Sequence, residues 1–452
     1  MIERAEVVVI GMGPGGEEVA GRLAEAGLDV VGIDRELVGG ECPYWGCVPS
    51  KMAIRAANLL AEARRIRGVA GNASVTADWE PVATRIRDEA TDDWDDRVAV
   101  ERFEGKGGRF VRGEARLAGR GRVAVGDREI TVDRAVVVAT GTRPVIPPIE
   151  GLADIPYWTN REAMEAKELP SSLVVLGGGA IGVELGQVFA RFGSRVTVVE
   201  AADQLLPLDE PEAGAVVTDE LRADGISVRT GSLAQRVERD GHRFAVVLRS
   251  GDVVTGEQVL VATGRRPDPA AVGLDTIGVP ADAKAAPVDE HLRVGPGVWA
   301  VGDVTGKGAF THVAMYQARI AVADILGEAH EPADYRALPR VTFTDPEVGS
   351  VGLTEAAARD AGITVRVGYA ALPSSARGWI HKRGNNGLVK LVADGDRGVL
   401  VGATSVGPAG GEILGLLTLA VHAEVPLARL REMMYAYPTF HRAVEDALRD
   451  LG

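Results

Sequence analysis

Cysteine is nearly absent from this chain of 452 residues, which has only two, Cys42 and Cys47, separated by four residues. The pair can be half of a zinc site, but the further thiols or closely paired histidines that such a site needs are lacking nearby. It can be a structural cross-link, but closing so small a loop removes little entropy from the unfolded chain. We therefore interpret the pair as a redox-active disulfide and keep the other two readings as alternatives.

Basic residues are outnumbered by acidic ones, 50 to 64, and long apolar runs are scarce. The formal net charge of -14 argues against nucleic acid or an anionic membrane as a partner. The longest apolar stretch, residues 413–423, contains Gly415 and His422 and is too short to span a bilayer. A predicted strand begins near residue 6, without the basic leader and apolar core of a signal peptide. We expect a cytoplasmic protein, in which paired cysteines are more often catalytic than structural.

Glycine, in contrast, is abundant, with 57 residues. A predicted strand, residues 7–10, leads into Gly11-Met12-Gly13-Pro14-Gly15-Gly16 and a predicted helix, residues 17–26. This order is typical of a dinucleotide-binding unit, in which the glycines let the backbone approach a pyrophosphate at the helix N-terminus. Asp34 ends the next predicted strand and is a candidate for binding an adenosine ribose. A tight turn without a ligand is the alternative.

The same pattern recurs in the second third of the chain. Predicted strand 173–176 precedes Gly177-Gly178-Gly179-Ala180-Ile181-Gly182, and a later strand ends at Glu200. Gly177, Gly179, Gly182 and Glu200 are therefore candidate nucleotide contacts. Two such units predict two dinucleotides, one held permanently and one exchanging. Two alanines rather than an arginine follow Glu200, which favours NADH over NADPH.

Two similar turns follow later strands. Ala139-Thr140-Gly141 and Ala262-Thr263-Gly264 each end a predicted strand, and we expect them to mark crossings between domains. Thr140, Gly141 and Gly264 are candidate cofactor contacts. Asp303 ends another predicted strand, where it either caps the next helix or bonds a polyol chain.

The remaining segments predict scaffold elements. A helix over residues 50–67 would place Cys47 near a helix N-terminus, where the dipole favours a thiolate. We also predict a charged helix over 78–104 and short strands within 109–130. From residue 335 the pattern changes to an α+β domain, with strands at 340–343, 388–392 and 399–405 and helices at 412–424 and 441–448.

Taken together, the chain resembles the pyridine nucleotide-disulfide oxidoreductases over essentially its whole length. The resemblance rests on the two glycine motifs and on the segments Gly39-Gly40 to Cys42, Gly46 to Lys51, Ala300 to Asp303, Phe343 to Gly349 and Val351 to Thr354. It implies an α/β fold with two Rossmann-like domains and a C-terminal α+β dimerisation domain. The expected bounds are 1–147 with 265–333 for the FAD domain, 148–264 for the NAD(P) domain and 334–452 for the dimerisation domain.

The resemblance also implies roles for individual residues. FAD occupies the first unit, with Gly40 among its contacts and Asp303 on its ribityl chain, and NAD(P)H occupies the second. Lys51 and Glu184 pair beside the flavin N5. Hydride passes from NADH to FAD, which reduces the Cys42-Cys47 disulfide. Cys47 faces the flavin as a charge-transfer thiolate and Cys42 attacks the substrate. We expect a homodimer whose active site is shared between subunits, and no metal.

The chain departs from this family near its C-terminus. Where the family has His-Pro-Thr followed by a glutamate, this chain has Tyr437-Pro438-Thr439 and then Arg442. Tyrosine, with an ordinary pKa near 10, is a poor base at neutral pH, and losing a placed base costs about 100- to 10,000-fold in rate. Tyr437 is our candidate replacement, and His441 with Glu445 is the alternative dyad or a plain surface pair.

We therefore expect an NADH-dependent FAD enzyme that reduces a small-molecule acceptor, with a non-standard disulfide as the leading candidate. A quinone-type reductase and a redox-sensing flavoprotein with little turnover are the alternatives.

Overall fold

The computed structural model describes residues 3–452, apart from the side chain of Asp240. Residues 1 and 2, which we assigned to the first domain, lie outside this range. The chain forms two compact units, each built from three segments. The first unit contains the chain up to residue 49, residues 84–145 and residues 264–334, and the second contains residues 50–83, 146–263 and 335–452.

The α-helices of the described chain, in order, are α1 (Pro14–Glu25), α2 (Glu41–Tyr44), α3 (Cys47–Arg65), α4 (Glu80–Arg85), α5 (Arg97–Gly105), α6 (Asn160–Glu165), α7 (Ala180–Arg191), α8 (Pro211–Ala223), α9 (Thr311–Leu326), α10 (Glu355–Asp360), α11 (Ala376–His381), α12 (Gly410–His422), α13 (Leu427–Glu432) and α14 (Ala443–Asp450). None of the helices within residues 3–452 is long and apolar enough to cross a membrane.

The strands, in order, are β1 (Arg4–Ile10), β2 (Val30–Asp34), β3 (Arg109–Arg112), β4 (Ala115–Leu117), β5 (Arg122–Val125), β6 (Arg128–Val138), β7 (Arg143–Pro144), β8 (Ser172–Leu176), β9 (Arg195–Val199), β10 (Ser227–Arg229), β11 (Ala234–Asp240), β12 (Arg243–Leu248), β13 (Val253–Gly256), β14 (Gln258–Val261), β15 (Arg265–Arg266), β16 (Arg293–Gly295), β17 (Val298–Ala300), β18 (Pro339–Thr342), β19 (Glu347–Gly352), β20 (Val365–Ala371), β21 (Leu388–Asp394) and β22 (Val399–Gly407).

The first unit is built around a sheet of order β16-β17-β6-β1-β2-β3, in which β17, β6, β1, β2 and β3 run parallel. Residues 7–10 of its central strand β1 are all apolar and buried, because both faces of the sheet are covered there. Val7 and Val9 join a core with α1 and α9, whereas Val8 and Ile10 join a second core with β4 and β5. This packing places the turn after β1 at the carboxyl edge of the sheet.

The second unit contains three sheets. A parallel sheet of order β10-β9-β8-β14 carries the second glycine turn, and β11, β12 and β13 form a separate antiparallel sheet. The third sheet, of order β18-β19-β22-β21-β20, is antiparallel, and its apolar side chains form a core with α12 and α14.

A buried arginine connects the three segments of the second unit. The Arg191 side chain, only 1% exposed, donates hydrogen bonds to Asp224 at 2.9 Å, Asp345 at 2.8 Å and Asn58 at 2.7 Å. Arg65 forms a second ion pair with Asp345 at 2.8 Å. Because a buried charge is tolerated only when it is paired and hydrogen-bonded, this cluster holds α3, α7 and the segment before β19 together.

The fold class is α/β, as the strand, glycine-turn and helix patterns predicted, but some elements differ from the prediction. The helix predicted over residues 50–67 begins at Cys47 instead. The earlier start is possible because proline is tolerated in the first helical turn. The predicted helix 78–104 is wrong. It is interrupted by a π-helical turn, Ile86–Ala90, and by Asp92, Asp93 and Trp94 with φ of 49°, 55° and 57°, which a right-handed helix cannot contain.

Two strands of the last sheet, β19 and β20, were missed. The glycines of β19 concealed its alternating pattern. Each strand is stabilised by pairing with partners distant in sequence.

We expect Arg191→Leu to lower the free energy of unfolding by about 3 kcal/mol or more, because Asp224 loses its buried cation and Asp345 one of its two. Urea unfolding followed by circular dichroism measures this change. Arg429→Leu is the control, since its pair with Glu432 is 76% and 68% exposed and should contribute less than about 1 kcal/mol. Equal effects of the two substitutions would contradict the assignment.

Candidate active site

The first glycine turn joins β1 to α1 and is closed on one side. Gly11 has φ of +94°, and a Cβ on Gly16 would lie 1.9 Å from the Gly11 carbonyl oxygen. A Cβ on Gly15 would lie 3.2 Å from Cβ of Ala314, so α1 packs closely on α9. A Cβ on Gly13, in contrast, would meet nothing within 4 Å. The turn therefore presents an open backbone surface at the N-terminus of α1, as pyrophosphate binding requires.

The second turn, between β8 and α7, has the same geometry. Gly177 has φ of +111°, and a Cβ on Gly182 would lie 2.0 Å from its carbonyl oxygen. Nothing lies within 4 Å of a Cβ on Gly179. The chain thus contains the same anion-binding shape twice, once in each unit.

The two acidic residues assigned to ribose also hold these turns in shape. Asp34 accepts hydrogen bonds from the backbone N–H groups of Met12 at 2.6 Å and Glu36 at 2.8 Å. Glu200 accepts equivalent bonds from Gly178 at 2.5 Å and Ala202 at 2.7 Å. Burial raises the pKa of Asp34, and the two amide hydrogen bonds oppose that rise only in part. Each carboxylate therefore holds the glycine turn of its own unit in shape.

The cysteine-bearing segment lies against the first glycine turn. Gly40 has φ of +65°, and a Cβ there would lie 2.9 Å from Cα of Gly13. Cys42 is half-buried in α2, and Cys47 is exposed at the start of α3. Trp45 is buried and packs on Tyr44, with ring centres 5.8 Å apart. Trp45 is thus a packing residue under this segment.

The sulfur of Cys47 lies 3.4 Å from the hydroxyl oxygen of Thr311, the first residue of α9. Cys47 is therefore placed at the N-termini of two helices, where a negative charge is favoured. Sequence reasoning did not find Thr311, because 264 positions separate the two residues and no local pattern connects them.

Asp303 is part of a hydrogen-bonded group at the carboxyl edge of the first sheet. The hydroxyl of Thr142 donates to its carboxylate at 2.9 Å, and Arg265 donates to the hydroxyl oxygen of Thr142 at 3.0 Å. Burial raises the pKa of Asp303, although the bond from Thr142 and the charge of Arg265 act in the opposite direction. Phe310, not Asp303, is the N-cap of α9, so the capping alternative is wrong.

The paired Ala-Thr-Gly turns lie near this group. A Cβ on Gly11 would lie 2.9 Å from the backbone nitrogen of Thr140, so that turn adjoins the first glycine turn. Gly141 has φ of +64°, and the carbonyl of Gly264 accepts a hydrogen bond from Val145 at 2.9 Å. The sequence analysis missed Thr142 and Arg265. Each directly follows one of these turns, and that position could have identified both as candidate site residues.

The structure brings Lys51 and Glu184 together. The Lys51 ammonium lies 2.9 Å from a carboxylate oxygen of Glu184, whose side chain is 6% exposed. The other oxygen accepts the backbone N–H of Phe343 at 2.8 Å, and the Lys51 nitrogen lies 4.7 Å from the centre of the Phe343 ring. Both carboxylate oxygens therefore have partners, as a buried carboxylate needs.

The C-terminal segment presents Tyr437 at the surface. Tyr437 is 69% exposed, and the Arg442 guanidinium lies 5.2 Å from its ring centre. Glu445 pairs with Arg442 at 3.1 Å and Arg449 at 3.4 Å, whereas His441 lies 3.4 Å from the hydroxyl of Thr439. The alternative dyad of His441 and Glu445 is not formed, because arginines engage both carboxylate oxygens of Glu445.

Two family models match nearly all of the chain. Residues 5–318 match the pyridine nucleotide-disulphide oxidoreductase model, and residues 338–448 match the dimerisation domain of the same family. The chain belongs to the pyridine nucleotide-disulphide oxidoreductases.

Named relatives agree with this assignment. A dihydrolipoyl dehydrogenase of Haloferax volcanii is 34% identical over 457 residues, which cover 98% of this chain and 95% of the relative. A mercuric reductase of Bacillus cereus is 32% identical over 450 residues, covering 98% and 71%. The solved HOCl-induced flavoprotein disulfide reductase RclA from Escherichia coli superposes with a TM-score of 0.85 at 26% identity, covering 98% and 99%.

As a member of this family, the protein is an oxidoreductase that uses FAD and a pyridine nucleotide, and its dimerisation domain supports a homodimer. The predicted arrangement of two dinucleotide-binding domains and a C-terminal dimerisation domain is confirmed. The residues present fit FAD. The open turn at Gly13, the adjoining Gly40 and the half-buried Asp303 would hold it. The exact domain bounds and the roles of individual residues stay predictions.

We expect Gly16→Ala and Gly13→Ala to act differently. The methyl group at residue 16 would collide with the Gly11 carbonyl, so this variant should unfold more easily and lose FAD. At residue 13 the backbone φ of -69° accepts alanine, so the apoprotein should be as stable as the parent to within about 0.5 kcal/mol. FAD binding alone should weaken there, because the methyl group occupies the open surface.

Flavin absorbance per chain after gel filtration and urea unfolding of the apoprotein separate the two effects. If Gly16→Ala retained FAD as well as the parent, the proposed turn geometry would be incorrect.

Proposed function

We propose that this protein uses NADH to reduce a small-molecule disulfide through a redox-active pair formed by Cys42 and Cys47. The balanced reaction is NADH plus a proton plus a disulfide giving NAD⁺ and two thiols. The observation that carries this proposal is the position of Cys47 at two helix N-termini, with Cys42 in the short helix α2 that immediately precedes it. Such a position favours the thiolate, which is the form that undergoes disulfide exchange.

Bound FAD supplies the two-electron connection between the nicotinamide and the cysteine pair. The protein's own residues bind and orient the reacting groups. Gly13 and Gly179 leave the backbone open for two pyrophosphates, and Asp303 is available to a ribityl hydroxyl. The ion pair of Lys51 and Glu184 keeps one positive charge fixed at the helix that begins with Cys47.

NADH is the proposed nucleotide because of the charge at the end of β9. Glu200 presents a carboxylate there, and its neighbours Ala201 and Ala202 add no positive charge. A carboxylate accepts hydrogen bonds from a free ribose hydroxyl but repels the 2′-phosphate of NADPH.

Within the pair, we propose that Cys42 attacks the acceptor and Cys47 resolves the mixed disulfide. Attack by Cys42 releases one thiolate from the acceptor, and that thiolate takes up a proton as it leaves. Attack by Cys47 on Cys42 then releases the second thiol and closes the disulfide again.

Tyr437 of the partner subunit is the proposed proton donor in the homodimer. A phenol holds its proton at neutral pH, so it can protonate a leaving thiolate but cannot act as a base. This chemistry supports reduction of an acceptor over oxidation of a dithiol.

The named relatives suggest other acceptors. Two of them are named for dihydrolipoamide and mercuric ion. The tyrosine at position 437 argues against efficient dihydrolipoamide oxidation, which needs a base. The chain has no cysteines besides Cys42 and Cys47 to receive a mercuric ion, so we rank a disulfide above both. A quinone, reduced without the cysteines, is the remaining alternative.

NADH oxidation should be fastest with a disulfide whose thiol is acidic, such as an aromatic disulfide, and slower with lipoamide. We expect Cys42→Ser to abolish this activity while FAD is still reduced by NADH. Steady-state rates with an aromatic disulfide, lipoamide, a benzoquinone and Hg²⁺ provide the comparison, and anaerobic titration with NADH measures FAD reduction. Ala63→Ser, at a partly exposed position of the neighbouring helix α3, is the control and should retain full activity.

If the quinone is the better acceptor and its rate survives Cys42→Ser, the quinone-type reading replaces the disulfide reading. Reduction of FAD without turnover on any acceptor would identify a redox sensor instead.

The phenol of Tyr437 can be tested separately. We expect Tyr437→Phe to lower the rate with an alkyl disulfide such as lipoamide on the order of 100-fold, because an alkyl thiolate needs a proton donor as it leaves, and to change the rate with an aromatic disulfide little. Tyr369→Phe is the control, since Tyr369 is also an exposed tyrosine of the C-terminal segment, at 44% exposure. Stopped-flow measurement should show unchanged FAD reduction in both variants. An unchanged rate with lipoamide in Tyr437→Phe would remove the hydroxyl from the mechanism.

A further inference from the structure

We propose that His291, Asp324 and His330 form a binding site for one divalent transition metal ion. One ligand atom from each residue lies within 4.8 Å of the other two. All three residues belong to the first unit, and none of them is among the predicted cofactor or catalytic residues. The site is thus additional to the proposed redox function and independent of it.

The two imidazoles turn one nitrogen each toward the same point. Nδ1 of His291 and Nε2 of His330 are 3.0 Å apart, and the rings are nearly perpendicular at 84°. The outer nitrogen of His330, Nδ1, lies 3.1 Å from the carbonyl oxygen of Glu328. A carbonyl can only accept, so this nitrogen carries the hydrogen and the lone pair of Nε2 points inward.

His291 is oriented in the same way by an acidic neighbour. Its outer nitrogen, Nε2, lies 3.7 Å from a carboxylate oxygen of Glu290. Without an ion, Nδ1 of His291 donates a hydrogen bond to Nε2 of His330 at 3.0 Å, because that nitrogen of His330 is the acceptor. A metal ion would replace this shared proton, and the hydrogen of His291 would then sit on Nε2, on the side of Glu290. An outer N–H that faces a backbone carbonyl or a carboxylate is the arrangement that surrounds metal-binding histidines in proteins.

Asp324 supplies the third ligand atom. One carboxylate oxygen accepts hydrogen bonds from Arg293 at 2.6 Å and Trp299 at 2.8 Å. The other oxygen accepts one bond from Arg293 at 2.5 Å and lies 3.9 Å from Nε2 of His330. This second oxygen keeps a further lone pair for a metal, and the carboxylate is held in place by its donors.

The carboxylate of Asp324 is already paired with a cation. The guanidinium of Arg293 donates a hydrogen bond to each of its two oxygens. The Arg293 cation offsets part of the negative charge, so we expect moderate rather than very tight metal binding.

The spacing of the nitrogens indicates which metal fits. Two nitrogens 3.0 Å apart, each at the usual 2.0–2.1 Å from a metal, subtend about 94° at the metal. That angle matches adjacent positions in square-planar or octahedral coordination, whereas a tetrahedral ion would separate the nitrogens by about 3.4 Å. The Asp324 oxygen, 3.9 Å from Nε2 of His330, would subtend about 144° at the same metal distances, so its carboxylate has to shift on binding to complete either geometry. Nitrogen and oxygen ligands in this geometry favour Ni²⁺ or Cu²⁺ over Zn²⁺.

The site connects two elements that are distant in sequence. His291 lies in the turn before β16, Asp324 lies in the last turn of α9, and His330 follows that helix. The sequence analysis predicted no metal and did not connect these two histidines, which are separated by 39 positions. A bound ion would fix this turn against the end of α9.

Titration calorimetry of the FAD-loaded protein with Ni²⁺ tests the proposal. We expect one Ni²⁺ per chain. His291→Ala and His330→Ala should each weaken binding by about 10- to 100-fold or more, because losing even a residue that only hydrogen-bonds a metal ligand costs that much. His242→Ala, at an exposed turn between β11 and β12, is the matched control and should bind as the parent does.

The cysteine pair is a competing site for Ni²⁺, so the double variant with Cys42→Ser and Cys47→Ser is titrated as well and should bind as the parent does. Loss of binding in that variant, retained binding in both histidine variants, or no binding by the parent would each overturn the proposal. Circular dichroism and FAD content confirm that every variant is folded. The NADH-dependent reaction is assayed separately, so failure here leaves the proposed function unaffected.

Discussion

The carboxylate of Glu184 determines much of the local structure in the second unit. It is buried, and it can remain so only because Lys51 and the backbone N–H of Phe343 take its two oxygens. These partners come from α3 and from the segment that follows β18. One side chain therefore fixes the helix that starts at Cys47 relative to α7 and to the C-terminal segment.

The Arg191 cluster extends this arrangement along the same helices. Glu184 and Arg191 both lie on α7, and both pair with residues of α3 or its neighbours and of the segment around Asp345. Two buried charges of opposite sign, spaced along α7, therefore fix the positions of α3 and of the segment around Asp345 along that helix. Apolar contacts between these helices would allow sliding that paired charges do not.

Duplication is the second organising feature. Each glycine turn has a glycine with positive φ, a glycine too close to a carbonyl for any side chain, and a glycine facing open space. An acidic residue 22 positions beyond the turn then binds its backbone. The same physical requirement, an anion at a helix N-terminus, has produced the same solution twice. The functional difference between the two sites must therefore come from their surroundings, such as Asp303 and Arg265 near the first.

The sequence by itself determined the dinucleotide turns, the order of the α/β elements and the residue types at positions 42, 47 and 437, because these are short-range patterns of strand, turn and helix. It also indicated the pairing of Lys51 with Glu184, through resemblance rather than physics. Tertiary structure alone decided the approach of Thr311 to Cys47, the Asp303, Thr142 and Arg265 network, and the grouping of His291 with His330. These contacts join residues separated by tens to hundreds of positions, and no local periodicity encodes them. The broken helix near residue 92 has a more local origin: there Asp93 and Trp94 donate backbone hydrogen bonds to Arg87 and Thr91 in a left-handed turn, which average helix propensities do not predict.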